Sequence, residues 1–222
     1  KSQGEGRPRR RGSITEYFDW VAGDKATKDI MDGVNTNWTR LNAPEIHDAV
    51  TAIVQNYKVE NPEKSVKDLV QLYKLVNNLP SSVWKNYKLA EIKSLVQACA
   101  GLFMEATSTQ QQVFPGKNLS MQLSMNQRTN MQVNLGLVQL PGRDSIFNKT
   151  LGVNQNLFWD HNYNIPLTQS ISQPYWLVSP KTEGMFVVND QQLIGQPEND
   201  PAFTCKLNLT IENQLFEFQI PV

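Results

Sequence analysis

Apolar residues follow two different periods along the chain, and the period changes at residues 105–118. Before this stretch they recur every three or four positions, which is typical of amphipathic helices. After it they alternate with polar residues, which is typical of half-buried strands. Composition changes at the same place: residues 1–108 contain 15 Lys and Arg and 12 Asn and Gln, whereas residues 109–222 contain 6 and 28. The sequence therefore predicts an α+β chain in two segregated parts, with the helices first.

The first half predicts four helices. Ser13 and Glu16 form a capping box, in which their side chains satisfy free amides of the first turn, and Gly23 supplies a left-handed stop. These residues predict a helix at 14–22. From apolar stripes at helical spacing, three further helices are predicted at residues 43–57, 62–77 and 84–104. Helices joined by such short loops predict a small all-α helical bundle, whose stripes pack on one another.

The second half predicts strands that alternate between apolar and polar side chains. Two hairpins are predicted, the first joining residues 119–125 to 131–135 and the second joining 203–211 to 216–220. Shorter strands are predicted around residues 157–159 and 185–188. Strands at this spacing, with Pro, Gly and Asn turns between them, favour an all-β immunoglobulin-like sandwich.

The same patterns predict the domain boundaries. A stretch with four Arg, three Gly and one Pro opens the chain, and this composition is typical of a flexible basic linker. The predicted organisation is a linker at residues 1–12, a helical domain at 13–107 and an immunoglobulin-like β-sandwich domain at 108–222.

Charge and cysteine content exclude several classes of protein. The 21 basic and 21 acidic residues cancel, so no excess of positive charge indicates a nucleic-acid or membrane-surface partner. No run reaches the roughly 18 apolar residues that a membrane span requires. Cys99 and Cys205 each fall in an apolar pattern, where a free thiol packs as a small hydrophobic side chain. The sequence predicts a globular chain with two buried free thiols and no membrane span.

Residues for catalysis or metal binding are few. The two histidines, His47 and His161, are 114 positions apart, and His47 borders an apolar helical stripe. Asp160 and His161 supply two donors in a predicted loop, whereas a zinc site needs three or four. The motifs of nucleophilic hydrolases, phosphate-binding loops and zinc proteases do not occur. These residues predict no catalytic or metal site in this segment.

Aromatic residues cluster among amides in the second half: Trp159, Tyr163, Tyr175 and Trp176. Carbohydrate-binding proteins stack a sugar ring on an exposed aromatic side chain and fix its hydroxyls with Asn, Asp and Gln, so these four are candidate glycan-stacking residues. The alternative is that they pack into the core beneath polar loops. The sequence favours packing, because burial is the usual role of Trp.

Four stretches together resemble a known family. They are GRPRRRGSITEYFDWVAGDKA at 6–26, AEIKSLVQACAGLFMEAT at 90–107, ISQPYWL at 171–177 and LIGQPENDPAF at 193–203. In this order they resemble the region downstream of the catalytic domain in large secreted PIG-L (LmbE-like) deacetylases of Bacteroidota. The resemblance covers nearly the whole chain.

The resemblance implies a parent protein whose upstream domain removes acetyl groups from N-acetylglucosamine-type substrates with zinc held by an HPDD-type motif. That motif does not occur here, so no catalytic or zinc-binding residue carries over, and no cofactor is expected in this segment. The leading hypothesis is a non-catalytic accessory segment. The alternatives are a cell-surface glycan-binding module and a protein-binding subunit of an envelope assembly.

The resemblance also implies partners and a location. The expected partner is the upstream catalytic domain or an envelope protein complex, with carbohydrate as a further ligand, and the expected location is extracytoplasmic. Asp144, Ser145 and Ile146 resemble the short O-glycosylation signal of that phylum, which makes Ser145 a candidate glycosylation site. The alternative is an ordinary turn after Pro141 and Gly142.

Overall fold

The computed structural model of the chain describes residues 11–222, and the first ten residues of the predicted linker lie outside them. Three α-helices come first: α1 (Pro44–Asn56), α2 (Val66–Asn77) and α3 (Val83–Cys99). Seven strands follow: β1 (Leu102–Ser108), β2 (Asn118–Gln127), β3 (Val133–Leu140), β4 (Arg143–Thr150), β5 (Leu157–Asn164), β6 (Thr204–Ile211) and β7 (Gln214–Pro221). The predicted α+β class, with helices first and sheets later, is confirmed.

The chain divides into two compact units, one up to Pro44 and one from Glu45 onward. In the first unit, the prediction of a helix at 14–22 is wrong, because these residues have no helical hydrogen bonding. Tyr17, Phe18 and Trp20 are exposed there. A helix of nine residues does not recover its nucleation cost from capping alone, and exposed aromatic side chains contribute no packing energy. The unit instead contains a short 3-10 helix, Trp38–Leu41.

In the second unit α2 buries most of its predicted stripe, whereas α1 buries only Ile46 of its stripe and leaves Val54 71% exposed. α1 and α2 lie where helices were predicted, and α2 is preceded by a 3-10 turn at Pro62–Ser65. The amide of Lys85 donates to the Ser82 hydroxyl at 3.1 Å and caps the start of α3. α2 packs against α3, and the buried residues of this pair are Val66, Leu69, Val70, Leu72, Val76, Ile92, Val96 and Cys99.

The predicted continuation of the fourth helix to residue 104 is wrong. α3 ends at Cys99, and Gly101 turns the chain at a φ of 65°. From Leu102 the burial alternates with a period of two, and the stretch pairs with β2 as strand β1. The predicted domain boundary after residue 107 therefore falls at the end of a strand. When apolar residues at every second position directly follow a helical stripe, they look like two further turns of the same helix. This similarity explains the error.

The strands form two antiparallel sheets with the orders β1-β2-β5 and β4-β3-β6-β7. The predicted second hairpin is confirmed as β6 and β7, which turn through Glu212 and Asn213 at positive φ. The predicted first hairpin is wrong, because β2 and β3 lie in different sheets. The connection between β2 and β3 is bound to the end of α3 by two hydrogen bonds. The amide of Arg128 donates to the Gly101 carbonyl, and the hydroxyl of Thr129 donates to the Ala100 carbonyl.

Of the two shorter predicted strands, 157–159 is confirmed within β5, whereas 185–188 is not a strand. It has only an isolated bridge between Thr182 and Met185. It belongs to the long loop, the 39-residue segment between β5 and β6 at residues 165–203. Its exposed apolar side chains are Leu167, Ile171, Leu177, Val178, Met185, Phe186 and Ile194.

The core lies between the sheets and extends to the helices. Alternate residues of β2, β3 and β6 are buried, and Cys205 is among them at 0% exposure. Cys99 and Cys205 are both buried and free, as predicted. The ring of Tyr73 in α2 meets the ring of Phe216 in β7 edge-on at 4.9 Å. Within the described residues, none of the helices has the length and apolar character to cross a bilayer.

Candidate functional site

The inner face of β5 carries two of the four candidate stacking residues. Trp159, His161 and Tyr163 alternate along this strand, opposite three buried residues of β2: Leu123, Met121 and Leu119. Cross-strand partners in an antiparallel pair share one face of the sheet, so these three side chains face the core. Trp159 and Tyr163 are half-buried, and His161 is buried.

Each of these aromatic rings has its own protein partner. The Trp159 ring meets Phe147 of β4 edge-on at 4.9 Å, and the Arg143 guanidinium lies 5.7 Å from the ring centroid. The Tyr163 ring lies 5.9 Å from that of Phe203. It also lies so close to Gly142 that a Cβ added there would be 2.6 Å from it. These contacts hold both rings against other side chains of the protein, which favours packing over stacking at Trp159 and Tyr163.

Asp160 and His161 do not form a shared donor set. Successive strand residues point to opposite faces, so Asp160 is exposed while His161 is buried. The Asp160 carboxylate accepts from the Gln122 amide at 2.8 Å, and His161 Nε2 lies 2.8 Å from the Pro141 carbonyl oxygen. His47 is exposed on α1, far from these groups along the chain. Across residues 11–222, no group of three or more His, Cys, Asp or Glu residues is arranged to hold a metal ion.

The other two candidates, Tyr175 and Trp176, lie together on the long loop with their rings edge-on at 4.9 Å. Asn199 fixes this part of the loop, because its side chain accepts from the Tyr175 amide at 3.0 Å and donates to the Gln173 carbonyl. The Tyr175 hydroxyl donates to the Gln196 carbonyl at 3.2 Å. These bonds position Trp176, which is half-buried, on the wall of a groove.

This groove has a volume of about 410 Å³. Its walls come from two parts of the long loop, residues 172–176 and 197–202, and they include Glu198, Asn199 and Asp200. An indole beside an amide and two carboxylates can contact both the apolar face and the hydroxyl groups of a sugar. Of the four predicted stacking residues, Trp176 is the one that lines this groove.

A larger cleft of about 490 Å³ adjoins this groove, and sequence reasoning did not predict it. Its walls are the β1–β2 loop at residues 108–115 and parts of the long loop near residues 169–172 and 201–203. The side chain of Gln110 spans the start of β2, donating to the Asn118 carbonyl at 3.1 Å and accepting from the Ser120 amide at 2.8 Å. The available sequence signal was the Gln110–Gln112 run followed by Phe114.

Ser145 lies on β4 and pairs with Val138 of β3, which is buried. The Ser145 side chain is therefore on the inward face of the sheet, and it is half-buried. The turn is formed by Pro141 and Gly142 between β3 and β4, and residues 144–146 are strand rather than turn. Asp144 accepts from the Gln139 amide across the pair at 3.2 Å.

Comparison with known proteins gives little. No protein-family model matches the chain, and no curated protein matches it. A solved structure with local similarity is the Pseudomonas fluorescens alkylpurine DNA glycosylase AlkC bound to DNA containing an abasic site analog. The identity is 9%, the match covers 72% of this chain and 46% of that one, and the TM-score is 0.25. The chain thus spans less than half of that protein, and a similarity this low supports no conclusion about fold or function.

Proposed function

We propose that the chain is a non-catalytic accessory segment of a PIG-L-like, zinc-dependent deacetylase of N-acetylglucosamine-type substrates, in which helices brace a β-sandwich next to the enzyme domain. The observation that carries the proposal is the direct packing of the helices on β7. Besides the Tyr73–Phe216 ring contact, Lys93 Nζ donates to the Glu217 carbonyl at 2.9 Å and lies 5.7 Å from the Phe218 ring. A rigid segment of this kind suits a spacer or support.

We further propose that the two sheets form an immunoglobulin-like sandwich. Seven antiparallel strands in sheets of three and four support this, as do the buried, alternating inner faces. The fourth strand pairs with the third rather than with the fifth, so the order differs from that of the antibody constant domain. Such domains commonly extend or present an enzyme domain.

The remaining parts of this proposal follow from the family resemblance. The zinc ion belongs to the upstream domain, the protein is extracytoplasmic, and Ser145 carries an O-linked glycan. Ser145 is half-buried on the edge strand β4, so attachment uses the exposed part of its side chain. Intact-mass analysis of protein from the native host, compared with a Ser145→Ala variant, tests the last point.

The central experiment compares the isolated 222-residue chain with the chain joined to whatever its gene encodes before Lys1. The expected results are an HPDD-bearing domain upstream, acetate release from an N-acetylglucosamine oligomer by the joined protein only, and a higher melting temperature of the enzyme domain when the segment is attached. Acetate release by the isolated chain, or an upstream sequence without that motif, would overturn the proposal.

A second candidate function is a glycan-binding module, and the placement of Trp176 favours it. Calorimetry with neutral oligosaccharides tests this function in the isolated chain. Trp176→Ala should weaken binding by about tenfold, since a stacked aromatic ring contributes on the order of 1 kcal/mol. Trp84→Ala, at a 55% exposed position on α3, is the matched control and should leave affinity unchanged.

A further inference from the structure

The groove beside Trp176 and the larger cleft are parts of one continuous depression. Both are lined by Ser172 and Ala202, so they share part of their walls. The cleft adds a second aromatic ring to the lining, that of Phe114, which is 67% exposed. Two adjoining recesses with one aromatic ring each suit a chain of several sugar units rather than a single one.

The lining of the cleft selects an uncharged ligand. Four Gln and three Ser residues contribute to it, and none of its described lining residues is Asp, Glu, Lys, Arg or His. Amide and hydroxyl groups both donate and accept, so they match the hydroxyls of a neutral sugar without desolvating a charge. The groove adds Glu198 and Asp200, whose carboxylates repel an anionic ligand.

Two backbone hydrogen bonds hold the β1–β2 loop against one wall residue of the cleft, Ile165. The amide of Gly116 donates to the Ile165 carbonyl at 2.9 Å, and the amide of Ile165 donates to the Lys117 carbonyl at 2.9 Å. This pair of backbone bonds joins the β1–β2 loop to the first residues of the long loop. Gly116 is also at a φ of 79°, with Leu167 packed so closely that a Cβ would lie 2.7 Å from it. A preorganised cleft binds with a smaller loss of conformational entropy.

We infer that this depression binds an uncharged oligosaccharide chain, with Phe114 and Trp176 as its two aromatic contacts and Gln111 and Gln112 of the β1–β2 loop as hydrogen-bonding groups. The inference rests on the second candidate function and extends its site into the cleft. It gives residues 108–115 a role in ligand binding in addition to joining strands β1 and β2.

The experiment is isothermal titration of the 222-residue chain with neutral β-linked pentasaccharides of glucose, xylose, mannose and N-acetylglucosamine, and with a pentasaccharide of galacturonate. At least one neutral probe should bind, and the anionic probe should bind at least tenfold more weakly. Phe114→Ala should weaken binding of the neutral probe by about tenfold, which is the effect of losing one stacked ring. Phe158→Ala, at a 57% exposed position on β5 outside the depression, should leave affinity unchanged.

Three outcomes would overturn the inference. If Trp176→Ala abolishes binding while Phe114→Ala changes nothing, the chain binds glycans in the outer groove alone, and the glycan-binding function survives without the cleft. If the anionic probe binds as well as the neutral ones, the charge argument is wrong. If no neutral pentasaccharide binds at millimolar concentration, both the inference and the glycan-binding function are wrong, and a peptide occupant becomes the alternative to test.

Discussion

The two pairs of edge strands, β1 with β7 and β4 with β5, are covered by different means. On one side, the edge strands β1 and β7 are in contact, and helix α2 places Tyr73 against Phe216 of β7. On the other side, the edge strands β4 and β5 meet through their own side chains, with Phe147 packed on Trp159. One side therefore depends on an element from outside the sheets, whereas the other is closed within them.

This difference assigns a role to each half of the sequence. Edge strands expose apolar side chains and unpaired backbone groups, so each side of a sandwich needs cover. The helices supply that cover on the β1–β7 side, which makes them part of the same compact unit as the sheets. On the β4–β5 side, the cover is formed by the aromatic residues whose sequence pattern resembles a sugar-binding platform.

The largest effect is expected at the helix-covered side. Phe216 is 1% exposed and contacts both Tyr73 and Phe218, so Phe216→Ala leaves a cavity under α2 and should lower the free energy of unfolding by about 4 kcal/mol. Urea denaturation followed by tryptophan fluorescence measures this loss. Phe158→Ala, the same change at an exposed position, should stay within about 0.5 kcal/mol. A loss below about 1 kcal/mol at Phe216 would mean that the helices do not support the sandwich.

A smaller effect is expected at the side closed by aromatic residues. Trp159 is half-buried, so Trp159→Ala should destabilise the chain by about 2 kcal/mol, less than a fully buried Trp would. Trp159→Phe keeps the edge-on contact with Phe147 and should recover most of this loss. Binding of neutral pentasaccharides should be unchanged in both variants. If Trp159→Ala removes binding at unchanged stability, the residue is a stacking platform, and the packing interpretation is wrong.

Much of this architecture was accessible from local patterns. The stripe of Val66, Leu69, Val70 and Val76 predicted α2, and the alternation of Cys205, Leu207 and Leu209 predicted β6. In both elements the buried face is decided by residues within a few positions of each other, which is the information that periodicity contains. The order of the parts, helices before sheets, follows from the same patterns.

The features that the sequence did not predict depend on contacts between residues that are far apart in the chain. The turn after β2 looks like a hairpin, but Thr129 bonds to Ala100 at the end of α3, and the chain passes to the other sheet. The segment at 14–22 has helical capping residues, but its aromatic side chains Tyr17, Phe18 and Trp20 are exposed and contribute no packing energy. The cleft is formed by loops that are more than 50 residues apart in sequence, so no local pattern describes it.

The smallest expected effect is a difference close to zero between the labelling rates of two cysteines. It tests whether the helices open independently of the sheets. Cys99 is the last residue of α3, and Cys205 lies on β6 and is fully buried. Burial raises the pKa of both thiols, that of Cys205 to about 11, so at pH 8 each reacts with iodoacetamide only after the surrounding structure opens. If helices and sheets open together, single-cysteine variants (Cys99→Ala and Cys205→Ala) should be labelled at rates within about threefold of each other, because both thiols then depend on one opening free energy. Faster labelling of Cys99 by a factor of ten or more would show that α3 detaches while the sandwich stays folded, and the helices would then be a separate module rather than a brace.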